Sequence, residues 1–343
     1  LHKEYRRQRQ MCIRDSFYPM PHSPITRFIV PRAKWIIWLC ALFSLSAPIS
    51  RIIPLNGLED VQWALELISH WQWGYLVAGI TCLAVLIIAK RAWWPLIPSL
   101  VLGVSFFVQS GTLDRSTEPL GAKPVLQVAT ANLNFDTMDF TAVVGWLTSG
   151  DAPDVVFLQE FTGLAQQALQ SPEVAQRYPH RVEVPQPDQF GLAILSRYPL
   201  SEVQKVEPAD MQATLRLRAT VTWAGAPVHL SAIHPMPPLN ATYAQLRDQA
   251  LVEEARHLSQ SGGLALMAGD FNTTPWAKGL FAIDAQLRRA SGLAGSWPNA
   301  FGGLSVLPLD HVLASSGWQL VDSGHGPDVG SDHRPVVVRL VAR

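Results

Sequence analysis

Cysteine is scarce. The 343 residues hold three, Cys12, Cys40 and Cys82, and none follows Cys82. The long remainder of the chain therefore has no disulfide framework and no thiolate metal site. That absence is compatible with an oxidising compartment. Charge is thin as well: the formal net charge is zero, with only 16% Asp, Glu, Lys and Arg. Two stretches, 71–89 and 92–111, hold no charged residue at all. Also missing are a G-x-S-x-G elbow, a Walker A loop and a dinucleotide-binding glycine fingerprint, which removes three common catalytic scaffolds. No internal repeat or low-complexity tract is visible.

The charge that is present is unevenly spread. Residues 1–120 carry 12 Lys/Arg against 7 Asp/Glu, whereas 121–343 carry 15 against 20. Residues 1–19 read as a polar, basic, non-native or disordered extension, with Met20 or Met11 as the expected start. Residues 20–111 read as a membrane region with about three transmembrane helices, near 35–50, 71–89 and 92–111. The second and third runs have the length a bilayer requires, and Trp35, Trp38, Trp71, Trp73, Trp93 and Trp94 sit at run ends, where interfacial aromatics belong. Arg27, Arg32 and Lys34 before the first run, and Lys90 and Arg91 after the second, favour the cytoplasmic side. Three crossings then make this a multi-pass protein of a bacterial inner membrane, with everything after Gly111 on the periplasmic or outer side. A signal peptide is the weaker reading of the first run, since Ala47-Pro48-Ile49 lacks a small-x-small cleavage site.

A linker at 112–124 leads into the remainder, 125–343. Strand patterns occur at 125–131, 155–158, 264–267 and 336–340, where apolar residues run together as in a sheet covered on both faces. Two hairpins are expected, 190–195 with 200–206 and 213–222 with 228–233. A further strand at 306–309 should end at Asp310-His311. Helices are expected at 138–147 and 243–258, and Arg288-Arg289 reads as a solvated helix face. Mixed strands and helices with antiparallel hairpins predict an α+β domain of two face-to-face sheets with helices outside.

Six strand ends present Asn, Asp, Glu or His, and none presents Lys. Asn132, His234, Asp270, Asn272, Asp310 and Asp332 each have a plainer reading as turn or capping residues. Glu160, closing the apolar strand VVFLQ, is harder to dismiss, because a carboxylate there is costly unless paired or metal-bound. Together the set is rich in hard oxygen donors, suited to Mg²⁺ or Mn²⁺ rather than Zn²⁺. Histidines with carboxylate partners add acid–base groups. A metal that polarises a phosphoryl oxygen, beside His–Asp pairs, is equipment for phosphoester cleavage.

The pieces ATANLN with Asn132, PDVVFLQE with Glu160, GLAILSR at 191–197, SAIHPMPP with His234, GDFN at 269–272, LDH at 309–311 and SDHRP at 331–335 resemble, in order, the motifs of the endonuclease/exonuclease/phosphatase family. The resemblance covers nearly all of 123–343. It implies a four-layer α/β/β/α sandwich, as in deoxyribonucleases, with the site at one end between the sheets. It also implies metal binding by Glu160 with Asn132 and Asp332, and His333 on the scissile phosphate or as general base, oriented by Asp310. Asp270 would align or deprotonate the attacking water, Asn272 bind phosphate oxygens, and His234 neutralise charge or protonate the leaving group. Water would attack phosphorus directly. No partner carboxylate for His234 is evident in the sequence, and the Pro-rich run after it should stiffen its loop.

The acidic balance of 121–343 speaks against nucleic acid, which is gripped chiefly by basic surface. A phosphoester substrate beside a membrane, such as a lipid headgroup, is the expected partner. A nuclease is the alternative, and a catalytically inactive membrane-tethered binding module is the rival of another class. No protein partner is evident.

Overall fold

The computed structural model describes residues 24–53, 57–90, 93–117, 121, 123–207, 214–300 and 305–343. The expectations for 1–19, Arg91 and Ala92 lie outside the described residues. Among the described residues, twelve strands from β1 on form two six-stranded sheets. The first contains β1 (Leu126–Asn132), β2 (Val155–Gln159), β3 (His180–Val184), β4 (Leu192–Ser196), β11 (Trp318–His325) and β12 (Val336–Ala342), in the order β11-β12-β1-β2-β4-β3. The second contains β5 (Leu200–Val206), β6 (Arg216–Trp223), β7 (Ala226–Ile233), β8 (Leu264–Asp270), β9 (Arg288–Arg289) and β10 (Asp310–Ala314), in the order β5-β6-β7-β8-β10-β9.

Alternation along the strands explains the layering. Leu126 and Val128 of β1 point into the core between the sheets with Phe157, Ile194, Leu230, Leu266 and Val312. Ala129 and Ala131 point the other way, against Val143, Leu147 and Val174 of the helices Thr141–Thr148 and Pro172–Arg177. On the far side, Met267 and Ala265 meet Leu251, Ala255 and Leu258 of the long helix Ala241–Ser261, whose N-cap Asn240 accepts from Tyr243 N–H at 2.9 Å. Both sheets are thus covered on both faces, which is why their central strands read as unbroken apolar runs. This is the two-sheet α+β domain with outer helices that the sequence pattern predicts, in the four-layer α/β/β/α form that the family resemblance implies.

Strand directions bring the polar ends to one rim. β1 runs parallel to β2, and β7 parallel to β8, so the ends of all four carry Asn132, Glu160, His234 and Asp270 to the same end. β10 and β12 run antiparallel to their neighbours, so their starts reach that end too. Asp310 is therefore the first residue of β10, opposite Asp270 in register, and does not follow a strand at 306–309. The pairing of 190–195 with 200–206 is also corrected. β4 and β5 lie in different sheets, and Ser196–Pro199 is a crossing between layers rather than a hairpin turn. Arg288-Arg289 is a short edge strand, not a helix face. Arg289 is buried, donating to the carbonyls of Ser291 and Gly292 and to Gln109 Oε1.

The N-terminal region is helical: α1 (Pro24–Ser44), α2 (Ser46–Ile52), α3 (Glu59–Ser69), α4 (Gln72–Ile88) and α5 (Leu96–Phe107). Among the described residues, one stretch, Arg27–Ile52, is long and apolar enough to cross a bilayer, or two if the bent pair α3–α4 is one span. The expectation of about three transmembrane helices is corrected accordingly. α4 has 17 residues and is bent 54° from α3. α5 has only 12, because the chain after Phe107 becomes extended and joins the sandwich. There Ser110 N–H donates to Pro275 O at 2.8 Å and Leu113 N–H to Arg289 O at 2.8 Å. A multi-pass arrangement, and the sidedness argued from three crossings, lose their basis with those helices.

Candidate active site

Four buried side chains form a chain of charge across the rim. Asp310 Oδ2 lies 2.8 Å from His333 Nδ1, His333 Nε2 lies 3.6 Å from Asp270 Oδ2, and the same oxygen lies 3.5 Å from His234 Nε2. His234 Nδ1 meets Gln189 O at 3.0 Å, so the carboxylate partner that the sequence did not reveal is Asp270. All four residues are at most 5% exposed. Asp270, Asp310 and His333 place ligand atoms within 4.8 Å of one another, a cluster able to approach a cation.

Local sequence builds this cluster. β8 ends in Gly269-Asp270, and a Cβ at Gly269 would stand 1.8 Å from Ile233 O, so only glycine lets β8 run this close to the end of β7. The turn that follows puts Asn272 at φ +51°, and Asp270 Oδ1 accepts from its N–H at 2.9 Å. Asn272 Nδ2 donates to Pro235 O at 3.1 Å, tying this turn to the loop behind His234. Ser296 Oγ accepts from the N–H groups of Leu309 and Asp310, both at 3.1 Å, and fixes the start of β10. Ser331 Oγ accepts from His333 N–H at 3.0 Å.

On the other sheet Asn132 Nδ2 donates to Glu160 Oε1 at 2.8 Å and to Asp270 Oδ2 at 3.1 Å. One neutral amide is thus all that separates the two carboxylates. Glu160 has φ +54°, a conformation unusual for a side-chain-bearing residue and common where function holds it. Its Oε2 accepts from Phe135 N–H at 2.8 Å. Asp332 does not join them: it is exposed at the rim, and its Oδ2 accepts from Trp297 Nε1–H at 3.0 Å.

Proton affinities follow from this packing. Burial opposes charge on His333, but Asp310 and Asp270 outweigh it and push its pKa up to about 10. Burial likewise opposes charge on His234, and Asp270 overcomes it, so that pKa is raised too. Burial would raise Asp270, yet His333 and His234 hold it well below the usual carboxylate range. Asp310 is raised by burial. The arrangement is a carboxylate held ionised between two imidazoles whose proton affinity it raises, with a second carboxyl group behind one of them.

His311, beside Asp310 in sequence, has a different duty. Its Nε2–H donates to Thr273 O at 3.0 Å, and its Nδ1 lies 3.1 Å from Ser291 Oγ. Burial and Arg289 push its pKa down to about 3 from 6.5. Stability from this neutral histidine is complete above pH 6.5 and is lost as the pH falls toward 3, because the unfolded chain binds the proton first. The melting temperature should decline between pH 7 and 4, and His311→Gln should flatten that decline; equal slopes for the two proteins would refute the assignment.

Sequence reasoning missed Trp297, Ser296 and Arg247. The first two lie in a loop without regular pattern. Arg247 was detectable: it occupies the buried stripe of its helix with Ala244, Leu251, Ala255 and Leu258, where an apolar residue belongs.

The model of the Endonuclease/Exonuclease/phosphatase family matches residues 129–333, a span that holds every rim residue above. Among solved structures, the chain is similar to an endonuclease/exonuclease/phosphatase from Beutenbergia cavernae, at 19% identity over 64% of this chain and 72% of that one, TM-score 0.52. D. rerio TDP2 complexed with a single-strand DNA product matches at 18% identity over 63% and 98%, TM-score 0.53. The 3′-5′ exonuclease NExo from Neisseria meningitidis matches at 22% identity over 62% and 98%, TM-score 0.50. At such identities these likenesses concern the fold. No curated protein matches the sequence.

Proposed function

The chain belongs to the endonuclease/exonuclease/phosphatase family, and from that premise we propose that it is a divalent-metal-dependent phosphoester hydrolase in which water attacks phosphorus directly. The observation that carries the reading is the buried line Asp310–His333–Asp270–His234. Asp270, kept ionised, orients the attacking water and accepts its proton. His333, held by Asp310, keeps its Nε2 proton for the phosphate oxygens or the departing group. His234 offsets charge from the opposite side, and Asn272 adds an amide at the same turn.

Glu160, with Asn132, is the residue that would hold the cation, while Asp332, taken up by the Trp297 indole, stands apart from them at the rim. Two carboxylates spaced by a single amide, with oxygen as the common donor, fit a hard ion such as Mg²⁺ or Mn²⁺. When bound, the ion supplies Lewis-acid polarisation of a phosphoryl oxygen.

The substrate reading is a phosphodiester at a membrane surface, a lipid headgroup foremost. It is supported by the apolar stretch Arg27–Ile52, taken as an anchor, and by the excess of acidic residues in 121–343. A single crossing with Arg27, Arg32 and Lys34 inside also leaves the catalytic domain, 125–343, on the outer side. The full chain in detergent, given Mg²⁺, should hydrolyse a chromogenic phosphodiester and phospholipid vesicles, and a chelator should stop both. Efficient cleavage of plasmid DNA with phospholipids untouched would replace the lipid reading by a nuclease. No turnover of any phosphoester would leave a binding module.

A further inference from the structure

Helix α3 lies outside the family-matched residues, yet it reaches the turn that carries Asp270 and Asn272. Glu66 of α3 is 4% exposed and forms an ion pair with Arg247, which is wholly buried. Arg247 Nη1–H donates in turn to Asn272 O at 3.1 Å, and its Nε and Nη2 engage Asp248 Oδ1 at 3.0 and 2.6 Å. One helical turn on, His70 Nδ1 lies 2.9 Å from Thr274 Oγ1. From the start of α3, Trp63 Nε1–H donates to Pro238 O at 2.8 Å, in the loop behind His234. The end of α5 and the stretch after it hold the same turn from its other end: Ser110 N–H donates to Pro275 O at 2.8 Å, and Trp276 Nε1–H to Phe106 O of α5 at 2.7 Å.

Four bonds of 272–276, at Asn272 O, Thr274 Oγ1, Pro275 O and Trp276 Nε1, thus come from, or are backed by, the N-terminal region. We infer that Glu66 is a positioning residue for the proposed hydrolysis: through Arg247 it sets the Asp270–Asn272 turn, with Trp63 holding the His234 loop in step. The N-terminal helices are then part of the catalytic machinery and not a detachable anchor. The physical reason is that Arg247 is buried and shares its donors among Glu66, Asp248 and Asn272 O, so that the two carboxylates on its other nitrogens fix the direction of Nη1. Without the Glu66 carboxylate, the guanidinium turns toward Asp248 or water, and the turn loses its strut. This inference rests on the reading given under Proposed function, and one arm of its test does not.

The test uses the full chain. Glu66→Gln should lower kcat for a chromogenic phosphodiester about 10- to 100-fold, the scale seen when a supporting partner of an active-site group is lost, while KM changes little. Glu66→Asp should restore part of the loss. Trp63→Phe, which keeps an aromatic ring and removes the indole donor, should act in the same direction more weakly, and it serves if Glu66→Gln does not fold. Hydrogen–deuterium exchange should rise at 270–276 in Glu66→Gln and at 235–238 in Trp63→Phe. Wild-type kcat with unchanged exchange in folded variants overturns the inference. If the wild-type chain hydrolyses no phosphoester, the functional reading falls alone, and the exchange pattern still decides whether α3 holds the turn.

Discussion

Replacing His333 with alanine should lower kcat for a phosphodiester by about 10³-fold, within the range for loss of a positioned acid–base group. The fold should survive. His333 is packed between two carboxylates, so its removal leaves Asp310 buried without its cationic partner at 2.8 Å. Burial already lifts the Asp310 pKa, and the lone carboxyl can neutralise itself by taking a proton. Asp270 is differently placed, because His234 at 3.5 Å and the N–H of Asn272 remain to hold its charge. The loss should therefore fall on chemistry before it falls on stability. Because Asp310 acts through His333, Asp310→Ala added to His333→Ala should cost little more than the worse single change, as for residues that work as a unit. Steady-state kinetics on the three variants checks this. Multiplying losses in the double variant would mean that Asp310 and His333 act separately.

Much of the sandwich was legible because its central strands are covered on both faces and so read as apolar runs with abrupt polar ends. The edges were not. His180–Val184 and Trp318–His325 each expose one face, so their residues alternate weakly and carry charge. The Ser196-Arg197-Tyr198-Pro199 turn has the chemistry of a hairpin, with Ser196 Oγ accepting from Tyr198 N–H at 3.0 Å. Turn chemistry reports a reversal of direction, not which sheet receives the returning strand. The expectation of a transmembrane helix at 92–111 went astray for a related reason. Hydropathy sees that 92–111 is apolar and uncharged, but the sandwich also provides apolar and hydrogen-bonding partners. Phe106 packs against Trp276 at 5.2 Å, and Ser110 pairs with Pro275.

The rim residues were legible for the same reason as the strands: Asn132, Glu160, His234 and Asp270 each follow an apolar run whose direction could be guessed. The connections among them were not, since a sequence does not state which imidazole faces which carboxylate. Nor did it place the Asp332 carboxylate on the indole of Trp297, a residue 35 positions away in an irregular loop.

Glu160→Gln is the second change with a large expected effect, and its isosteric appearance is misleading. Both Glu160 oxygens are acceptors, Oε1 from Asn132 Nδ2–H and Oε2 from Phe135 N–H. Glutamine offers one oxygen and one NH₂, so whichever way it is placed a donor faces a donor. The substitution thus removes the charge and disturbs the Asn132 amide that also reaches Asp270. Under the proposed role, turnover at saturating Mg²⁺ should fall about 10²-fold or more, and half-saturation by the metal should shift at least about tenfold upward. Titration of activity against Mg²⁺ and Mn²⁺ reads both. Glu160→Ala, which leaves Asn132 and Phe135 free to bind water, should be no worse than Glu160→Gln despite deleting more of the side chain. That order separates charge and hydrogen-bond matching from bulk. A glutamine variant with native metal titration would place the cation elsewhere on the rim, at the Asp270–Asp310–His333 cluster instead.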